Sequence, residues 1–248
     1  MIFNFFKSKP TLKEIIPDGF VDIHSHILPG IDDGAKCIED SLFIVNELVE
    51  IGFKKIIGTP HTYPGLYNNT KSKIESSFKL LFDKISDKNS IGYASEYMID
   101  ESILKSIHKK SLLTLKDNLI LIEMSYISEP NFLNEFIFEL QNFGYEPILA
   151  HPERYRFWHN KFSKFSELKK RGVKFQMNLL SATDYYGDDI RKISDKLLKE
   201  GYIDYLGSDV HNTRHINALN NKYPHKDFRL KIKNLKEFED TAASNCLF

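Results

Sequence analysis

Asp22-Ile23-His24-Ser25-His26 sets two imidazoles two residues apart at the end of the apolar start Phe20-Val21. On a strand, alternate side chains share a face, so His24 and His26 converge on one spot with Asp22 on the same side. Asp209-Val210-His211 repeats the alternation near the other end of the chain, after Leu206-Gly207-Ser208, where a glycine lets backbone approach a ligand closely. Imidazoles mixed with carboxylates suit a borderline divalent cation such as manganese, iron or zinc better than calcium or magnesium. More donors lie between the two pairs: His61 after Gly58-Thr59-Pro60, Glu96, Glu123 closing Leu119-Ile120-Leu121-Ile122, and His151 after Leu149-Ala150. Taken singly, such a residue is more often a hydrogen-bonded loop histidine or a solvated carboxylate than a ligand. Glu123 is the exception, because a carboxylate buried at the end of an apolar run carries a severe penalty without a cation.

The elements that must position these residues are legible as an alternation of short apolar runs and longer amphipathic segments. Strands are expected at 20–23, 55–58, 91–94, 119–123, 146–150, 173–178 and 202–206. Helical patterns cover 37–51, 71–85, 132–143, 162–171 and 190–200; in the first, Leu42, Val45, Leu48 and Val49 recur at helical spacing. Gly52, Gly144, Gly172 and Gly201 each stop a helix and lead at once into a strand. The repeat runs without a break in composition, so we expect one α/β domain, a distorted TIM-like (β/α)7 barrel over 20–248 behind an N-terminal extension of 1–19. In such barrels function sits where strands end and loops begin. His24, His26, His61, Glu96, Glu123, His151, Asp209 and His211 all fall there, and the sixth strand alone ends without a candidate, at Asn178. His108, His159, His215 and His225 lie off the strand ends and are expected to face solvent.

Composition narrows the classes of function. With 34 basic and 34 acidic residues among 248, no global field attracts nucleic acid or an anionic membrane. No apolar stretch approaches the ~20 residues that cross a bilayer, and Met1-Ile2-Phe3-Asn4-Phe5-Phe6-Lys7 is too short for a signal-peptide core. Cys37 and Cys246 form neither a metal-ligand spacing nor the Cys-x5-Arg loop of a thiolate phosphatase. The expectation is a cytoplasmic protein that is not integral to a membrane.

The run 20–34, from Phe20-Val21-Asp22-Ile23-His24-Ser25-His26 through Ile31-Asp32-Asp33-Gly34, resembles the opening motif of the PHP (polymerase and histidinol phosphatase) superfamily. More narrowly it resembles the bacterial capsule-type protein-tyrosine phosphatases, the CpsB/YwqE group. Gly58-Thr59-Pro60-His61, Ser95-Glu96-Tyr97, Leu121-Ile122-Glu123-Met124-Ser125, Ala150-His151-Pro152-Glu153-Arg154-Tyr155 and Gly207-Ser208-Asp209-Val210-His211-Asn212 match the later motifs in order. The resemblance implies a site for three divalent ions, manganese or iron with zinc as a further candidate. It divides them as His24, His26, Glu96 and Asp209 on one, Glu123 and His151 on a second that Glu96 bridges, and Asp33, His61 and His211 on the third. Five neutral imidazoles and four carboxylates leave about +2 from three ions, a charge that attracts a phosphoryl dianion. A hydroxide bridging two ions would attack phosphorus in line, while Arg154 and Arg214, each three residues after a ligand histidine, would hold the other phosphoryl oxygens.

The implied substrate is a phosphotyrosine protein, the tail of a bacterial tyrosine kinase of capsule or exopolysaccharide synthesis. Tyr63, Tyr67, Tyr155, Phe157, Trp158, Tyr185 and Tyr186 either line the barrel mouth for its ring or anchor loops in the core. His61-Thr62-Tyr63-Pro64-Gly65 lacks the basic residues that some relatives carry there. The rival functions are a small-molecule phosphatase of histidinol-phosphate type on the same metals and a non-catalytic, metal-stabilised kinase-binding module.

Overall fold

In the computed structural model the described residues are 9–221 and 223. Among these residues nine short strands, all parallel to their partners, make up two sheets. One runs β1 (Val21–Ser25), β2 (Lys55–Gly58), β4 (Ile91–Tyr93); the other runs β3 (His61–Thr62), β5 (Glu96–Met98), β6 (Leu119–Glu123), β7 (Glu146–Ala150), β8 (Lys174–Asn178), β9 (Tyr205–Gly207). The expected strands over 55–58 and 91–94 each continue after a two-residue break. Thr59-Pro60 separates β2 from β3, where proline offers no N–H to a ladder, and Ala94-Ser95 separates β4 from β5. Counting each broken pair as one stave gives seven, and β1 meets β9 through Ser25 and Val210, with His26 N–H donating to Val210 O at 2.9 Å. This is the distorted (β/α)7 barrel.

Between strands run α2 (Ile38–Ile51), α3 (Lys71–Phe82), α4 (Leu104–His108), α5 (Leu133–Asn142), α6 (Ser163–Lys170) and α7 (Asp188–Lys199), with α1 (Leu12–Ile15) before β1 and α8 (Thr213–Leu219) after β9. The helix α7 begins two residues earlier than its apolar pattern, because Asp188 and Asp189 favour the positive end of the helix dipole. The pattern over 37–51 misassigned one face: α2 buries Ser41, Ile44, Val45, Leu48 and Ile51, while Val49 is exposed. Gly52, at φ 119°, ends that helix in the left-handed region as its position demanded.

Two apolar clusters hold the barrel. The smaller draws on Val21, Ile23, Ile57, Leu121 and Ile148, which strands contribute; the larger packs the outer strand faces against the helices. The strand β1 carries one extra residue against β2 between Asp22 and Ser25. Ordinary alternation already puts Val21 and Ile23 in the smaller apolar cluster and turns His24 to the polar side, and the extra residue then lets Ser25 pair with Gly58.

The described part of the N-terminal segment does not stand apart from the barrel: Leu12 and Ile15 are buried in the larger cluster, and Tyr223 N–H donates to Pro10 O at 2.8 Å. The remaining residues of that segment, His225, Cys246 and the rest of the expected domain beyond 223 lie outside the described residues. Leu12→Ala should therefore destabilise the protein by about 2–5 kcal/mol in denaturant unfolding, the range for emptying a fully buried leucine site. A midpoint equal to that of the parent would show the segment to be dispensable.

Candidate metal centre

The barrel mouth gathers the expected donors. His24, His26, Glu96, Glu123, His151 and Asp209 are buried, His61 and His211 are half-buried, and Asp33 is the most open at 49% of its side chain. Register explains part of this: His61 and Glu96 are paired neighbours on β3 and β5, and Met98 pairs with Glu123 across β5 and β6. His151 (φ 34°) and Asp209 (φ 51°) take left-handed backbone conformations. Each such residue costs on the order of 1–3 kcal/mol, least for Asp and His, and the turn aims both side chains inward.

The donors face one another rather than hydrogen-bond partners. His24 Nε2 and His26 Nε2 are 3.3 Å apart, and His61 Nδ1 lies 2.8 Å from Glu123 Oε1 and 2.9 Å from Glu96 Oε2. Yet His61 Nδ1, Glu96 Oε2 and Glu123 Oε1 are buried with no hydrogen bond of acceptable geometry. Lone pairs converging on common points in a dry site are what a cation satisfies. Four overlapping groups of donors meet that condition among the described residues: His26-Asp33-His61-His211, His24-His151-Asp209, His24-His26-Glu96 and His61-Glu96-Glu123. Two of these groups keep sets that the resemblance implies, Asp33-His61-His211 with His26 added and His24-His26-Glu96, while the other two set His151 beside His24 and Asp209, and Glu123 beside His61.

The other ring nitrogens point outward to fixed partners. His24 Nδ1 is 2.7 Å from Gln176 Oε1, His26 Nδ1 is 2.8 Å from Asp32 Oδ2, and His211 Nδ1 is 2.9 Å from Asp209 O. Each outward N–H donates and leaves Nε2 as the lone pair for a cation. Gln176 Nε2 then donates to Asn178 Oδ1 at 2.9 Å, and Asn178 Nδ2 to Asp209 Oδ2 at 2.5 Å. So β8, which brings no ligand, ties the ligand on β1 to the ligand after β9. Sequence reading passed over Gln176, Asn178 and Asp32. Two amides alternating with Phe175 and Met177 at the end of an apolar strand were the available signal.

Gly207 serves His24 rather than an ion: a Cβ there would sit 2.7 Å from His24 Cβ and 3.0 Å from Gln176 Nε2. Gly34 is tighter still, with His26 O 2.2 Å from where its Cβ would stand. Asp22 was expected beside the two histidines as a third inward group. It is buried but accepts from the backbone N–H of His24 at 3.3 Å and Ser208 at 2.8 Å, pinning β1 to the loop after β9. Burial raises its carboxyl to about 6 despite the Ser208 hydrogen bonds.

Above the donors opens a cleft of about 300 Å³ lined by Asp33, His61, Tyr126, His151, Arg154, Tyr186, Asp209, His211, Asn212 and His215. Arg154 Nη1 lies 3.2 Å from Asp209 Oδ2, and its guanidinium stands 4.6 Å over the Tyr126 ring and 4.3 Å over the Tyr186 ring. Arg214 is exposed and is not among the lining residues; its N–H donates to the Asn212 cap of α8. His215, expected in solvent, instead lines the cleft, with Nδ1 3.1 Å from Asp209 O and 3.2 Å from His211 N. His159 too is half-buried, against Glu153 O at 2.8 Å, whereas His108 is exposed beside Glu139. Of the aromatic residues considered for the mouth, Tyr186 lines it, and Tyr67 stacks on His61 with centroids 5.7 Å apart. Tyr155 and Trp158 are core, and Tyr126 was missed.

A parallel barrel whose mouth holds clustered His, Asp and Glu donors beneath an arginine defines a metallohydrolase-type site. A family model for capsular polysaccharide synthesis, CpsB/CapC, matches residues 20–220, and the chain belongs to that family. It is 30% identical over 198 residues to the tyrosine-protein phosphatase YwqE of Bacillus subtilis, covering 78% of each chain. It is 28% identical over 201 residues to the tyrosine-protein phosphatase CpsB of Streptococcus pneumoniae, covering 77% of this chain and 83% of that one. Crystal structures of YwqE and CpsB, described as unique metal-dependent tyrosine phosphatases, include a chain that superposes with a TM-score of 0.74 at 27% identity, over 88% of this chain and 96% of that one. A histidinol phosphate phosphatase from Lactococcus lactis, complexed with zinc, L-histidinol and phosphate, shares the fold at a TM-score of 0.53 and 17% identity, over 89% and 96% of the chains. Among the described residues no helix is long and apolar enough to cross a membrane.

Two outcomes test the geometry. Burial pushes His26 down, but Asp32 and Asp209 carry it to about 10, and Glu96 and Glu123 likewise raise His61. Both rings therefore hold protons near neutral pH that a cation must displace, so cation binding should release protons and tighten as pH rises toward 10. Calorimetric heats that do not vary with the ionisation enthalpy of the buffer would contradict this. Gln176→Leu removes the acceptor for His24 Nδ1 and should weaken cation affinity about 10–100-fold, with an unchanged circular-dichroism spectrum.

Proposed function

We propose that this protein is a metal-dependent protein-tyrosine phosphatase that hydrolyses phosphotyrosine on a bacterial tyrosine kinase of capsule or exopolysaccharide synthesis. The observation that carries the reading is Arg154 held over a buried cluster of cation donors in an open cleft. The names of the relatives as tyrosine-protein phosphatases support it. His24, His26, Asp33, His61, Glu96, Glu123, His151, Asp209 and His211 would hold three divalent ions, manganese or iron with zinc as a further candidate. Bound ions supply Lewis acidity, which lowers the pKa of a water and offsets phosphoryl charge.

The chain's own residues do the rest. Asp209 Oδ2, itself fixed by Asn178, directs one edge of the Arg154 guanidinium, while the Tyr126 and Tyr186 rings packed against it keep the fork from swinging into solvent. A planar fork so placed matches two phosphoryl oxygens. Rotamer freedom that a free arginine would lose on binding is already gone. Tyr126 and Tyr186 also present aromatic surface beside the anion, which suits a substrate whose phosphate is carried on a ring. A phenolate leaving group has a conjugate pKa of about 10, far below that of an alkoxide, so little proton assistance is required.

Elemental analysis of purified protein, run beside turnover of a phosphotyrosine peptide and of histidinol phosphate, tests the reading. The peptide should be the better substrate, and His24→Ala and His151→Ala should each cost at least about 100-fold in kcat/KM, the scale of losing one group from a preorganised electrostatic site. Undiminished aryl-phosphatase activity in both variants would overturn it.

A further inference from the structure

Tyr126, in the loop after β6, has a hydroxyl directed to the metal centre and a ring at its edge. Its Oη lies 3.3 Å from Nε2 of His151, a residue 1% exposed, while Tyr126 as a whole is 46% exposed. The same Nε2 is 3.1 Å from Glu96 Oε1, so it is the nitrogen that faces the donor cluster. Were His151 to hold a cation, its Nε2 lone pair would no longer be free to accept from Tyr126. The Tyr126 hydroxyl would then need another acceptor, in a cleft that the Arg154 guanidinium, 4.6 Å from the Tyr126 ring, also lines.

Stacking on that guanidinium at 4.6 Å and lying 5.5 Å from the His151 ring, the Tyr126 ring has little freedom to turn its hydroxyl away. An anion held by Arg154 in the same cleft would be an acceptor within its reach. We propose that Tyr126 is a substrate-binding residue that donates a hydrogen bond to a non-bridging phosphoryl oxygen beside Arg154. This assignment rests on the phosphatase reading and adds to it a neutral donor from β6, next to the charged donor that follows β7.

Tyr126→Phe deletes the hydroxyl and keeps the ring. The affinity of metal-loaded protein for inorganic phosphate, measured by calorimetry, should fall about 10–100-fold, the scale of one hydrogen bond to a charged acceptor. Metal content should equal that of the parent. kcat/KM should fall by the same factor for phosphotyrosine and for nitrophenyl phosphate, because a non-bridging oxygen is common to both. Unchanged phosphate affinity would overturn the assignment. So would loss of metal, which would make the hydroxyl a support for His151, or a loss concentrated on the poorer leaving group, which would place it at the bridging oxygen. A parent protein that neither binds phosphate nor turns over aryl phosphates would instead refute the phosphatase reading itself.

Discussion

Carboxylates and imidazole lone pairs packed against one another out of water are the constraint on which this structure depends. Glu96 and Glu123 both lie against one nitrogen of His61, and burial together with the Glu96 charge pushes the Glu123 carboxyl up. Against burial, the charges of His24 and His61 hold Glu96 low. An arrangement of this kind is unfavourable for folding unless protons or cations stand between the groups. The chain tolerates it because the cost is concentrated at one end of the barrel. The apolar cluster around Ile23, Ile57, Leu121 and Ile148, with the helices packed outside, stabilises the remainder.

Several local features make sense only as supports for that cluster. Left-handed backbone at His151 and Asp209 and glycines that leave room for His26 and His24 each depart from regular strand geometry. Each departure turns a ligand inward or clears space for one. The amide pair Gln176-Asn178 shows the same economy. A strand with no ligand still fixes the tautomer of His24 and, through Asp209, the direction of Arg154. Ligand orientation and anion recognition are thus joined by one line of hydrogen bonds across β1, β8 and β9.

The cleft is built from loops that follow different staves, so its chemistry is divided among segments far apart in sequence. Tyr126 comes after β6, Arg154 after β7, Tyr186 after β8, and His211 and His215 after β9. Variation in one loop can alter the fit to a substrate while the donors beneath remain in place.

Local chemistry in the sequence by itself determined the alternation of strand and helix, the glycine stops and the identity of the donors at strand ends. These follow from periodicity and from short-range backbone preferences, which act over a few residues. The (β/α)7 architecture was legible for the same reason. Only the tertiary structure decided which donors lie close enough to one another to hold a cation jointly, that Val49 faces solvent, that His215 enters the cleft, and that Tyr126 rather than Trp158 forms its wall. Those outcomes depend on contacts such as His24 with Gln176, 152 residues apart. No local pattern encodes the register and twist that bring two such residues together; packing of the closed barrel sets both.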